Sequence, residues 1–188
     1  MAAKRTLRYL VGTIDLGINY KSNNASLTSY SDTNFANNKL DRRSLTGYVF
    51  KIGNTAVTWN TRKQPTVALS TIEAEYMAVA AATREAIWLR QLISELGIDT
   101  VGPTPIHVDN RAAIELTKDS KFHARAKHID IKHHYVHDMI KDQDIVVISC
   151  ASKENLADVF TKSLPREQHA YLIKQFGMAS ESRGSVVE

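Results

Sequence analysis

Apolar positions along this chain follow two different periods, and the changes between them mark its elements. Residues 27–32 (LTSYSD), 45–53 (LTGYVFKIG) and 55–63 (TAVTWNTRK) are short runs rich in β-branched and aromatic residues, bounded by polar turns. That is the pattern of strands, and Gly53-Asn54 between the last two predicts a hairpin. From Ser70 to Gly97 the pattern becomes helical. Ser70 or Thr71 can cap this helix, Glu73 follows three residues after Ser70, and Gly97 stops it. Further on, the pattern predicts a strand at 104–110, a helix at 111–118, a basic helix at 123–143 and a buried strand at 144–152. Helices at 155–164 and 166–177 follow. Ahead of these elements, residues 3–11 predict a short helix with Leu7, Leu10 and Val11 on one face, and residues 17–20 a strand. The tail from Met178 is expected to fray.

The order from residue 27 to residue 164 is therefore β-β-β-α-β-α-α-β-α. Strands joined by short turns suit an antiparallel meander, and strands separated by helices suit parallel pairing. This predicts an α/β chain with a five-stranded mixed sheet carrying helices. The polar stretch KSNNAS (21–26) is the expected domain boundary.

Composition narrows the picture. A chain of 188 residues with 43% apolar content suits one domain with a real core. No apolar run is long enough to predict a membrane span. The basic N-terminus does not read as a signal peptide. Cys150 is the single cysteine, so neither an internal disulfide framework, a disulfide-linked partner nor a cysteine-based zinc finger is expected, and a reducing, intracellular setting is. The net charge of +4 suits a polyanionic partner, and equally an ordinary slightly basic domain.

Candidate chemistry lies in four acids. Asp32 and Asp109 end predicted strands, Glu75 lies in the first turns of the long helix, and Asp158 lies in the penultimate helix. In open α/β sheets functional groups gather at the carboxyl ends of strands. The long helix is expected to bury Leu89, Leu92 and Leu96. At about 100° per residue, Glu75 then falls about 60° from Leu96 and Glu73 about 140° away, which turns Glu75 toward the sheet and Glu73 outward. Each acid also has an ordinary reading, as a turn, cap or solvated residue. Taken jointly, converging carboxylates without cysteine suit Mg²⁺-like cations, and two such ions can cleave a phosphodiester.

At this point the chain resembles the ribonuclease H domain of the Pol polyprotein of copia-type LTR retrotransposons. The matching stretches are YSDTNFA, DRRSLTGYVF, KQPTVALSTIEAEYMA, REAIWLRQLISELG, VDNRAAIELTKD, FHARAKHIDIKHHYVHD and ENLADVFTKSLP, in family order from residue 30 to residue 165. KRTLRYLVGTIDLGINY looks like the end of a preceding reverse transcriptase. The resemblance implies a ribonuclease H-like fold with helices on both faces, and hydrolysis of the RNA strand of RNA/DNA hybrids during reverse transcription. It also implies two ions, Mg²⁺ or Mn²⁺, on Asp32, Glu75, Asp109 and Asp158, and a reverse transcriptase portion of the same polyprotein as partner. The expected organisation is 1–22 as reverse transcriptase remnant, 23–165 as the nuclease and 166–188 as a C-terminal helix and tail. The expected setting is the cytoplasm, in a virus-like particle, or the nucleus. In this sequence Asn34, Phe35 and Asn37 replace the Asp, Trp and Gly that are common in the family's first motif, and CASKENLAD holds no histidine before the last acid.

Five of the seven histidines lie in 123–137. His133 and His137 have the spacing of a zinc pair, but HExxH and completing ligands are missing. The other readings are a solvated face, or one on which Arg125, Lys127 and Lys132 contact phosphates, with Asn110 beside Asp109 on the same interface. Trp59, Trp88, Tyr48 and Tyr135 are expected in packing rather than base stacking. A non-catalytic nucleic-acid-binding module, and another two-metal nuclease or transposase on the same fold, are the rival readings.

Overall fold

The computed structural model describes residues 2–20, 26–98, 100–118 and 127–180. Its first elements are α1 (Ala2–Gly12) and β1 (Leu16–Ile18). Then come β2 (Leu27–Asn34), β3 (Leu45–Ile52), β4 (Thr55–Lys63) and the long helix α2 (Thr71–Glu95). The second half holds β5 (Thr104–Val108), α3 (Arg111–Lys118), α4 (Lys127–Lys141), β6 (Ile145–Ser149), α5 (Asp158–Thr161), α6 (Arg166–Gln175) and β7 (Met178–Ser180).

The main sheet has the order β4-β3-β2-β5-β6. The hairpin strands β2, β3 and β4 pair antiparallel, and β5 joins β2 and β6 in parallel. The fold is therefore α/β with a five-stranded mixed sheet. Strand alternation sends neighbouring residues of β3 to opposite faces. Tyr48 and Phe50 pack with Tyr76 and Val79 of α2, Ile114 of α3 and Val136 of α4. Val49, between them, packs on the other face with Leu156 and with Leu172 and Phe176 from the region of α6. Helices thus cover both faces.

Two local expectations change. β1 and β7 pair antiparallel, Leu16 opposite Ser180 and Ile18 opposite Met178, so the segment expected to fray begins with a strand. Such a pairing joins two three-residue runs from opposite ends of the chain and leaves no local pattern to read. The helix expected at 155–164 shortens to Asp158–Thr161 after a 3₁₀ turn at Ser152–Glu154. Asn155 starts it late, because its Oδ1 accepts the Ala157 N–H at 3.1 Å, a local bond that competes with helix. Pro165 disfavours helix at the residue before it, and the backbone is already extended at Lys162. The polar stretch 21–25 and the segment 119–126 lie outside the described residues.

Candidate metal centre

Asp32 and Asp109 meet because β2 and β5 are parallel neighbours. The register pairs Tyr30 with His107, and two residues further along each chain it brings Asp32 alongside Asp109. Glu75 comes from the first turns of α2. Ser70 caps this helix, its Oγ accepting the Glu73 N–H at 3.1 Å, while Glu73 reaches back to accept the Leu69 N–H at 2.9 Å. Glu73 is thereby a cap residue and Glu75 is buried. The stripe that faces the sheet runs through Val79, Ala82, Ala86, Leu89 and Ile93. Leu92 and Leu96, expected in the core, are 37% and 69% exposed. Ile93, buried in the main core, takes the place the sequence pattern assigns to them. Small residues let the N-terminal turns lie close, and Gln64 fixes them there. Its Nε2 donates to the Ala74 carbonyl at 2.9 Å and to Thr46 Oγ1 at 3.0 Å.

One carboxylate oxygen from each of Asp32, Glu75 and Asp109 lies within 4.8 Å of the others. Burial, reinforced by the charges of Asp32 and Asp109, pushes the Glu75 carboxyl up to about 9. Its Oε2 is buried with no hydrogen-bond partner among the described residues. Burial raises Asp32 to about 6, opposed by the Thr161 hydroxyl and by Lys162. A buried acid without a donor and beside two like charges is unfavourable unless a cation completes it. The donor set is all carboxylate oxygen, which matches a hard divalent ion. The residues present fit such a group.

Asp158 stands differently from the expected convergence of four acids. It is buried at the start of α5, outside the three-carboxylate group. Its Oδ1 receives the Lys162 ammonium at 2.6 Å, and the same ammonium reaches Asp32 Oδ1 at 3.0 Å. Burial alone would lower the Lys162 ammonium, but the hydrogen bonds to Asp158 and Asp32 outweigh it and raise the group.

The short helix carrying Asp158 is tied to the sheet at several points. Asn155 Nδ2 donates to the Ser31 carbonyl at 3.0 Å, Asn34 Nδ2 to the Thr161 carbonyl at 3.0 Å, and Thr61 Oγ1 to the Phe160 carbonyl at 3.0 Å. Gly47 makes the approach possible, since a Cβ there would stand 2.6 Å from Thr161 Cγ2 and 2.9 Å from Phe160 Cβ. Asn34, one of the departures from the first family motif, is therefore a tether for α5.

Among the residues read as contacting nucleic acid, Lys132 lines an open groove of about 520 Å³ with Arg62, Lys63 and Arg84. Lys63 is also paired with Asp41 at 2.9 Å. Asn110 caps α3, its Oδ1 accepting the Ala113 N–H at 3.1 Å. Arg125 and the side chain of Lys127 lie outside the described residues. His133 is 1% exposed, stacks on Tyr76 and pairs with the Leu116 carbonyl at 3.2 Å. It is a core residue rather than part of a solvated face, and among the described residues no metal-ligand cluster includes it. Tyr48 is buried, whereas Trp59 and Trp88 are half exposed. Sequence reasoning missed Lys162 and the arginines at 62 and 84. The signal for Lys162 was its i,i+4 spacing from Asp158.

No protein-family profile matches the chain. The retrovirus-related Pol polyprotein from transposon TNT 1-94 of Nicotiana tabacum is 37% identical over 179 residues, covering 95% of this chain and 13% of that protein. The N-terminal ribonuclease H domain of a Mycobacterium tuberculosis protein superposes with a TM-score of 0.50 at 9% identity, covering 80% of this chain and 97% of that one. The protease-reverse transcriptase of Prototype Foamy Virus superposes with a TM-score of 0.50 at 13% identity, covering 82% of this chain and 20% of that one.

Proposed function

We propose, for a chain homologous to the retrovirus-related Pol polyproteins of plant transposons and built on the ribonuclease H-like fold, that it is a metal-dependent endonuclease. Its substrate is the RNA strand of RNA/DNA hybrids made during reverse transcription of a copia-type element. The observation that carries this reading is the meeting of Asp32, Glu75 and Asp109, from three separate elements, around a buried Glu75 oxygen that has no donor among the described residues.

In this reading Asp32, Glu75 and Asp109 hold one divalent cation, Mg²⁺ or Mn²⁺, and Asp158 joins Asp32 in holding a second. Bound there, two such ions would supply a nucleophilic water at neutral pH and offset charge on the leaving oxygen. The chain's own residues prepare that chemistry. Thr161 orients Asp32 through a hydrogen bond, and the Glu75 carboxyl releases its proton when the site fills. Arg62, Arg84 and Lys132 line a groove suited to the sugar-phosphate backbone. Residues 1–22 are assigned to the end of a preceding reverse transcriptase region, the partner that presents the hybrid, 23–165 to the nuclease and 166–188 to its C-terminal extension. The proposed setting is the cytoplasm, in a virus-like particle, or the nucleus.

The test is cleavage of a hybrid whose RNA strand is labelled. Shortened RNA is expected with Mg²⁺ or Mn²⁺ and none with a chelator. Asp109→Asn is expected to abolish cleavage while its circular-dichroism melt matches the wild type. No metal-dependent cleavage, with or without added polymerase region, contradicts the reading and favours a non-catalytic nucleic-acid-binding module.

A further inference from the structure

Lys162 is the residue at this site that the proposed reaction leaves without a role. Its ammonium lies 2.6 Å from Asp158 Oδ1 and 3.0 Å from Asp32 Oδ1. Those two aspartate side chains are 6% and 1% exposed, while the lysine side chain is 35% exposed. Two buried carboxylates are thus bridged by one cation that enters from the rim. Lys162 follows the last turn of α5, where its backbone N–H still bonds the Asp158 carbonyl at 2.9 Å while the chain turns extended. The base of the arm is therefore fixed, and its four-carbon stem can leave the site without moving the helix.

We propose that the Lys162 ammonium is a tethered cation standing where a second divalent ion would bridge Asp32 and Asp158, so that the chain without nucleic acid binds one ion and takes a second only as Lys162 withdraws. The inference rests on the metal-site reading above and adds an order of filling to it. A divalent ion on Asp32 and Asp158 would sit about 2.0–2.1 Å from its oxygens. The ammonium reaches the same pair of oxygens, so it and the ion exclude each other by volume and by charge. Asp32, Glu75 and Asp109 stand on a different footing. Among the described residues Glu75 Oε2 has no donor, and of these three acids the Lys162 ammonium is paired only with Asp32, so an ion held by all three meets less competition from the lysine than one held by Asp32 and Asp158. Once displaced, the ammonium lies at the rim of the site, beside any phosphate group bound there.

The experiment counts Mn²⁺ ions bound to the full chain without nucleic acid, by electron paramagnetic resonance of free Mn²⁺ and by calorimetry. The wild type is expected to bind one ion tightly and a second only at the higher concentrations that displace Lys162. Lys162→Gln is expected to bind two, the second tightened about tenfold or more relative to wild type, and Lys162→Arg, which keeps the charge, to return to one. Comparable binding of two ions by the wild type, or one ion in Lys162→Gln, overturns the inference and leaves the proposed hydrolysis standing. No ion bound by the wild type overturns both. Amine footprinting of the wild type guards against a variant that fails to fold. Lys162 is expected to become more reactive as Mg²⁺ is raised past saturation of the first site, and unchanged reactivity overturns the inference.

Discussion

Glu73 and Glu75 differ by two positions and by everything else that matters. Glu73 serves the helix N-terminus, bonding the Leu69 N–H. Glu75 is turned among the other acids and raised to about 9 by burial first and then by Asp32 and Asp109. A carboxyl raised above its unfolded value keeps its proton in the fold while the unfolded chain loses it. It therefore costs stability once pH passes the unfolded value, and the cost grows until about pH 9. In the metal-free chain Glu75→Gln should melt close to wild type at pH 4 and higher by pH 8, by on the order of 2 kcal/mol. Thermal scans across that range check this. In the wild type, stabilisation by Mg²⁺ should grow with pH over the same window, because a divalent ion needs the ionised form. The side of the helix that carries Glu75 was legible from helical spacing, although the reference leucines at 92 and 96 proved exposed. The spacing survives that error because Leu89 and Ile93 define nearly the same face.

Among the elements, α2 and α5 show what a sequence can and cannot reveal. The long helix announced itself through Ser70, its apolar stripe and Gly97. The helix α5 was legible as a helix but not in its bounds, because four residues carry no periodicity and its position is set by tertiary contacts from Asn34, Thr61 and Asn155. Asp158 stood among the four candidate acids from the start, but its partner Lys162 went unread beside it. Gly47 is the joint between this helix and the sheet. Gly47→Ala forces a Cβ into Thr161 and Phe160, and should cost about 1–3 kcal/mol by overpacking. Because the displaced element carries Asp158 and Lys162, cleavage should fall further than stability does. Denaturant titration alongside the hybrid assay separates the two effects.

At the scale of the molecule, a strand meander followed by strand-helix alternation identified the sheet. A helix at 166–177 and helices on both faces were expected, but which residues of α6 and β7 close the second face was not legible, since they pack there with residues from distant parts of the chain. Leu172 is fully buried there, whereas Leu10 of α1 is 55% exposed. Leu172→Ala should cost about 2–5 kcal/mol in urea unfolding, and Leu10→Ala less than about 0.5 kcal/mol. That contrast would place residues 166–177 inside the folding unit. The sheet's larger consequence is that parallel pairing of β2 and β5, with α2 laid across them, brings together three acids that are far apart in sequence. The central claim is that these three acids form one divalent-ion site. Anomalous diffraction from crystals soaked in Mn²⁺ tests it most directly: the account predicts a peak bonded to oxygens of Asp32, Glu75 and Asp109. Saturating Mn²⁺ with no peak at those oxygens would contradict it.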